Sequence, residues 1–346
     1  MGRRVRPFSC PNGPPHGILK PPRSTVHLIP AGAPGTFVTC FQGFYSMLPA
    51  MRVTLATLLL ALSAQSALAS DPLLELAEKS TFADSPHRLS AEHNLSVALT
   101  KAAVLDPARQ GPGAEGEKAD FARTMAQLAT GYTQLGADAI AANVLHTAGQ
   151  YSNDYAFDYA AAVFLAGQPS ESMTAFEQAL DARPDDATGK VTAGFFHLMA
   201  GDANRASKLL HEALATTGAT RDDRLYASVY LALAAEMMGS EPRRVLAGLP
   251  EEPNRPWPFG LREAIVSGST RHLDVELLAD RLAFQDRLCE ALFYVGFSRE
   301  IDRKADDAQR FYRAALDTRA YGIRAYSAAR FRLADMLAGP RNARTP

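Results

Sequence analysis

Apolar residues return every three or four positions along most of residues 121–249, which is the spacing of one helical face and not of a half-buried strand. Over 154–166, Ala156, Tyr159, Ala160 and Val163 fall at i, i+3, i+4 and i+7 and predict a first helix. Gly167 ends it, because glycine accepts the left-handed conformation of a C-cap. Pro169 stands at the start of the next helix, where a missing N–H is tolerated. Ser172, Phe176 and Ala179 carry that second helix, and Pro184 prevents its continuation. The arrangement then recurs. Ala160 returns as Gly194, Gly167 as Gly201, Phe176 as Leu210 and Ala179 as Ala213, with His197 on the first helix, Asp202 as N-cap and Ala206 on the second. The small residues have a packing reason: antiparallel helices approach closely only where side chains are short, and large ones fill the space between.

Similar units extend in both directions. Over 121–151, Met125, Leu128, Ala129 and Tyr132 form a first face, Gly136 a stop, and Ala141, Leu145 and Ala148 a second face. Leu231, Ala232 and Ala235 predict a further first helix over 225–239, with a short partner over 242–249. Pro250, Pro253, Pro256 and Pro258 then interrupt the helical pattern around Trp257, the single tryptophan. An ordered crossing is expected there, with Trp257 and Phe259 covering apolar surface. Short helices are predicted over 261–266 and 273–283. Leu292, Val295, Gly296, Ala308, Tyr312 and Ala315 restore the unit over 289–316, and 321–337 reads as an amphipathic helix capping the array. Ahead of the array, 73–79 and 90–105 read as leading helices, the second completing a partial repeat.

A 34-residue period with small residues at these offsets marks the tetratricopeptide repeat, a helix–turn–helix unit. The chain resembles that superfamily through Ala160, Phe176, Ala179 and Pro184. It departs at Ala156, where the family carries tryptophan, and at Ser172, where it carries alanine. The resemblance implies an all-α fold, a right-handed superhelical solenoid of tetratricopeptide-like hairpins whose first helices line a concave side. Residues 257–337 also resemble the C-terminal part of the NlpI-type periplasmic repeat proteins, through Trp257, the run Glu290-Ala291-Leu292-Phe293-Tyr294-Val295-Gly296 and the last long helix. Members of that group are outer-membrane lipoproteins acting as adaptors for cell-wall hydrolases and proteases. This sequence has no cysteine at the position that would carry the lipid, which puts such anchoring in doubt.

Composition changes the picture mainly at the front. The chain is 47% hydrophobic and 21% charged, as a globular domain is. Its first 70 residues, however, contain six Lys or Arg and no Asp or Glu, and 1–50 are rich in proline and glycine. That segment is expected to be disordered. Met51 and Arg52 precede an apolar run over 53–62 and then Ala67-Leu68-Ala69, the layout of a cleaved secretory signal over 51–69. Translation is therefore expected to start at Met51, with cleavage near Ala69 and a periplasmic or secreted product holding no stable membrane anchor. The expected organisation is an upstream extension (1–50), the signal (51–69), leading helices and linker (70–120), repeats (121–249), and the crossing, extra helices, last repeat and cap (250–346). After cleavage, 37 acidic residues face 30 of the 36 basic ones, a balance that disfavours nucleic acid. Cys289 is the single cysteine left, so no internal disulfide is expected.

Catalytic motifs are missing. There is no H-E-x-x-H, C-x-x-C or P-loop. Residues 111–116 spell G-x-G-x-x-G, but no strand precedes them, and Pro112 and Glu115 suit a linker loop. The histidines, His197 among them, stand singly without a partner at ligand spacing, so no metal or other cofactor is expected. Cys289 opens the first helix of the unit predicted over 289–316 and reads as a buried small hydrophobe. The pairs Asp185-Asp186, Asp222-Asp223 and Asp306-Asp307 sit at turns or helix starts, where they favour the helix dipole. An enzyme is accordingly not expected.

In the repeat family, ligands meet first-helix residues between the packing positions. That resemblance marks Asp154, Phe157, Phe164, Phe195, Tyr226, Glu236, Phe293 and Phe297 as a partner-binding face, aromatic with some acid. Such a face suits an extended or helical peptide with apolar anchors and a basic residue or two. Two readings stay open. Either the rings meet another protein, or they pack between repeats within the chain. The expected role is an exported adaptor binding other envelope proteins, cell-wall enzymes or proteases among them. The alternative is a structural subunit, a homo-oligomer joined through the same face.

Overall fold

The computed structural model describes residues 71–82, 95–102, 115–249 and 257–339, and among them every regular element is a helix. The expected extension and signal (1–69), most of the Pro-rich crossing and much of the 90–105 helix lie outside the described residues, within which 95–102 are helical. The elements are α1 (Pro72–Lys79), α2 (Glu115–Gln134), α3 (Asp138–Gly149), α4 (Ala156–Leu165), α5 (Pro169–Ala182), α6 (Ala187–Met199), α7 (Ala203–Ala215), α8 (Arg221–Met237), α9 (Pro242–Leu246), α10 (Phe259–Ser267), α11 (Leu273–Ala279), α12 (Phe284–Ile301), α13 (Ala305–Asp317) and α14 (Arg324–Leu337). A 3₁₀ turn, Asn153–Tyr155, leads into α4.

Helices pack as consecutive pairs, α2 with α3, α4 with α5, α6 with α7, α8 with α9 and α12 with α13, and the first helices α4, α6 and α8 pack in turn. The small positions do what the pattern predicts. A methyl group added at Gly194 would meet Leu210 Cδ2 at 2.9 Å, and one at Gly296 would meet Phe311 Cβ at 2.8 Å. Ser172 is fully buried and donates a hydrogen bond to the Ala160 carbonyl at 2.7 Å. Burial without that partner would be costly, and the bond makes a hydroxyl tolerable there. Phe176, Leu210 and Tyr312 fill equivalent positions with no exposure, each such side chain contributing roughly 1.5–3 kcal/mol.

The turns share one geometry. Gly136, Gly167, Gly201 and Gly239 all have positive φ, and each precedes the next helix by two or three residues. Gly167 N–H bonds the Phe164 carbonyl and Gln168 N–H the Val163 carbonyl, closing the orphan end of α4. The α12–α13 turn copies this with Arg303 at φ 63° in the glycine position. Starts are also capped by side chains: Asp186 accepts from Gly189 N–H, Asp202 from Arg205 N–H, and Thr220 with Asp223 forms a capping box.

Three expectations are corrected. Glu115 and Gly116, read as loop, begin α2, which starts six residues earlier than the 121 expected; the other fingerprint residues, 111–114, lie outside the described ones. The helix expected over 273–283 stops at Ala279, because Asp280 accepts from the Leu282 and Ala283 N–H groups and turns the chain. α12 begins at Phe284, so Cys289 lies inside it and not at its start. Its thiol is buried, lies 3.4 Å from the Ala315 carbonyl, and burial raises its pKa.

The last helix, α14, packs on α13 and α12 and also reaches back to earlier pairs: Arg330 pairs with Asp138 of α3, Phe331 packs on Phe164 of α4 at 4.9 Å, and Arg332 pairs with Glu300 and reaches the Met199 carbonyl of α6. Its Ala325, Ser327, Ala328 and Ala329 are buried. α1 precedes the pairs in the chain but packs against α11, α12 and α13. No described helix is long and apolar enough to cross a membrane.

Candidate functional site

The first helices place the eight marked residues very differently. Asp154 is exposed, accepts a hydrogen bond from the Ser152 hydroxyl at 2.8 Å and stands 3.9 Å from Arg183. Phe157, Phe164, Phe195, Phe293 and Phe297 are all buried. Phe157 lies against Gly189 of α6, with the Arg183 guanidinium 4.8 Å from its ring centre. Phe164 sits between Phe196 and Phe331, and Phe195 touches Phe196, Tyr230, Phe293 and Tyr294. Phe297 stacks on Phe293 at 6.1 Å, with Arg332 over it. Of the two readings of these rings, packing within the chain describes their positions, and α14 supplies part of the cover. They do not form an accessible aromatic wall.

Tyr226 and Glu236, by contrast, remain partly exposed. Tyr226 belongs to a cluster between α8 and α12. Its hydroxyl donates to Glu290 Oε1 at 2.8 Å, and Trp257 Nε1 donates to Glu290 Oε2 at 2.7 Å. One turn further along both helices, the Tyr230 and Tyr294 hydroxyls meet at 2.8 Å. Burial pushes the Glu290 carboxyl upward, and the two donated hydrogen bonds oppose that rise. Burial likewise raises the Tyr226 hydroxyl, with the Glu290 charge adding to it.

Beside this cluster opens a cleft of ≈ 330 Å³, lined by Asp222, Asp223, Tyr226, Glu290 and Arg324 together with Thr188 and Thr192. Asp222 and Thr188 stand exposed on its rim. Arg324, the first residue of α14, reaches the Thr192 hydroxyl at 3.3 Å and closes one side. The cleft therefore offers the exposed Asp222 and the partly exposed Glu290 carboxylate against one guanidinium, with tyrosine rings behind them, while Asp223 is buried in its capping box. Such a surface can hold a cation on a short apolar stem and orient it by hydrogen bonds.

Of the cleft residues only Tyr226 was marked from sequence. Glu290 and Trp257 stood among residues carrying the C-terminal resemblance, and Asp222 and Asp223 were read as helix-start acids. Tyr226/Tyr230 and Glu290/Tyr294 are each i, i+4 pairs, a usable signal that two helix faces present matching polar groups. Nothing in the local pattern marks Arg324, because only the path of α14 brings it there.

Glu236 lies elsewhere, near the C-terminal ends of α8 and α12. Its Oε2 is buried without a hydrogen bond, and burial raises its pKa to about 7. The Ser298 hydroxyl, Arg299 and Lys304 favour the charged form, whereas Asp302 disfavours it. His197 is buried between Glu177 at 3.6 Å and Asp202 at 3.7 Å, and burial lowers its pKa.

Among known proteins, no family model matches this chain and no curated protein matches it significantly.

Proposed function

We propose that this chain is an exported, non-enzymatic helical-repeat protein, a right-handed superhelical solenoid of tetratricopeptide-like hairpins that serves as a protein-binding adaptor in the bacterial cell envelope. Its partner is a segment of another envelope protein, a cell-wall enzyme or protease among the candidates. The observation that carries the reading is the cleft of Asp222, Asp223, Tyr226 and Glu290. On a face whose phenylalanines are buried, it keeps Asp222 exposed and Tyr226 and Glu290 partly so. It fits a basic side chain flanked by apolar residues, a peptide mode that relies on a few anchors and not on a long apolar groove. The consecutive pairing of helices and the shared glycine turns support the repeat reading.

A photo-crosslinking residue at Thr188, on the cleft rim, tests this in the cells that make the protein. A discrete crosslinked protein is expected, and Asp222→Arg should abolish it while the fold is retained. No crosslinked species, or one insensitive to Asp222→Arg, would overturn the reading.

A further inference from the structure

A larger opening lies between the first helices of the first two pairs. α2 packs on α3, and α3 on α4, but α2 and α4 do not pack comparably on one another. The gap is a cavity of ≈ 440 Å³, roofed by Tyr321–Arg324 and Ser327. Its apolar lining combines Leu145, Leu165, Phe196 and Ile323 with a wall of small side chains, Ala126, Ala129, Ala161 and Ala162, which leaves space where larger ones would close it.

Three charged side chains line this space. Asp158 comes from α4 and Arg324 from the start of α14, while Arg123 of α2 is held 2.9 Å from Asp120. No hydrogen bond or ion pair joins Asp158 to any described residue. Arg183, the other cation near it, is already held 3.1 Å from Asp186. Arg324 donates a long hydrogen bond to Thr192 at 3.3 Å, interacts with the Tyr230 hydroxyl and lies 5.9 Å from the Phe195 ring centre, which does not use all five N–H groups a guanidinium carries. Asp158 is open to solvent at the mouth, yet protein walls surround it closely enough to raise its pKa, an effect that Arg324 and then Arg183 oppose. An anion alone would leave the Asp158 carboxylate facing a like charge. A cation alone would leave Arg324 in the same position. A molecule bearing both charges satisfies both groups, through charge-assisted hydrogen bonds that are stronger than neutral ones.

We propose that this cavity binds a small zwitterion of the α-amino acid class, a free amino acid or dipeptide, with its ammonium group on Asp158 and its carboxylate on Arg324. The volume falls within the range of small-ligand pockets, and the alanine wall takes an aliphatic side chain. Gln127 and Tyr155, also in the lining, offer further polar contacts. The site shares Arg324 with the acidic cleft but does not depend on the adaptor reading.

Calorimetric titration and thermal melting of the full chain with L-alanine, L-leucine and L-alanyl-L-leucine test this, alongside N-acetyl-L-leucine and L-leucinamide. Saturable binding of at least one zwitterion is expected, weakened about tenfold or more when either end is blocked. Asp158→Asn should give a similar loss with an unchanged melting temperature of the unliganded protein, since the carboxylate has no hydrogen bond to lose. Thr130→Trp, on the exposed side of α2 at the cavity rim, should exclude the ligand without touching either charge. Absence of saturable binding by all three zwitterions would overturn the proposal. So would equal binding of a blocked compound, or affinity unchanged in both variants.

Discussion

Asp71 accepts a hydrogen bond from the Thr270 hydroxyl at 2.7 Å, across 199 residues of sequence. The same carboxylate caps α1 by accepting from Leu73 N–H at 3.0 Å and stands 3.9 Å from Arg299. One side chain thus starts its own helix and ties it to the far end of the fold. Leu73, Leu74 and Ala77 are buried beneath that helix, so α1 covers apolar surface of the closing repeat.

Asp71→Ala removes the cap and the tie together. A loss of about 1–3 kcal/mol is expected, from a lost N-cap and a partly buried hydroxyl left without its acceptor. Urea unfolding should show a lower midpoint with an unchanged slope. Thr270→Val should cost less, because the cap survives.

Arg303 occupies the left-handed position that glycine holds in the other turns. Relative to glycine, a residue with Cβ is strained there by roughly 1 kcal/mol. Arg303→Gly is therefore expected to stabilise the fold by up to about 1 kcal/mol, with part of the relief offset by the freer unfolded chain. Gly201→Ala should do the reverse. Paired thermal melts of the two variants check both signs.

Glu290 is the common acceptor for Tyr226 and Trp257. Glu290→Leu leaves two donors facing an apolar group and is expected to destabilise by about 2–4 kcal/mol. Trp257 is the single tryptophan, so its emission reports the change directly. A red shift and easier quenching are expected before any loss of helical circular dichroism.

Glu236 has its pKa raised to about 7 in the fold, from an ordinary value of 4.5. Between those two values the folded state holds a proton that the unfolded chain has released. Stability contributed by this group is therefore highest below pH 4.5, falls as pH rises, and is fully lost above about 7. Allowing for solvent at a partly exposed carboxyl, the swing is about 1–3 kcal/mol. Glu236→Gln should flatten that part of the stability–pH curve and make the protein more stable at pH 8. Denaturant midpoints for both proteins at pH 5 and pH 8 are the measurement.

The helical pairs were legible because their signals are local. Gly167 and Gly201 stop helices by their own conformation, and Ala160 and Gly194 mark close approach through their small size. Even the i, i+4 pairs that build the Glu290 cluster are visible in the string of residues. The candidate site was less legible for a physical reason. The offset rule assigns a side chain to a face of its helix but does not say whether another element later covers that face. Phe164 obeys the rule and is nonetheless covered by Phe331, more than 160 positions away.

The amino-acid sequence alone thus determined the all-α character, the helical pairs and the turns, all of which depend on contacts within about 34 residues. Tertiary structure alone decided that α1 docks on α11, α12 and α13, that α14 reaches back from the last pair to α3, α4 and α6, and that Arg324 lines both openings. Those placements are set by which apolar stripes bury one another across long separations. Amphipathic periodicity specifies that a stripe must be buried, and leaves open which partner buries it.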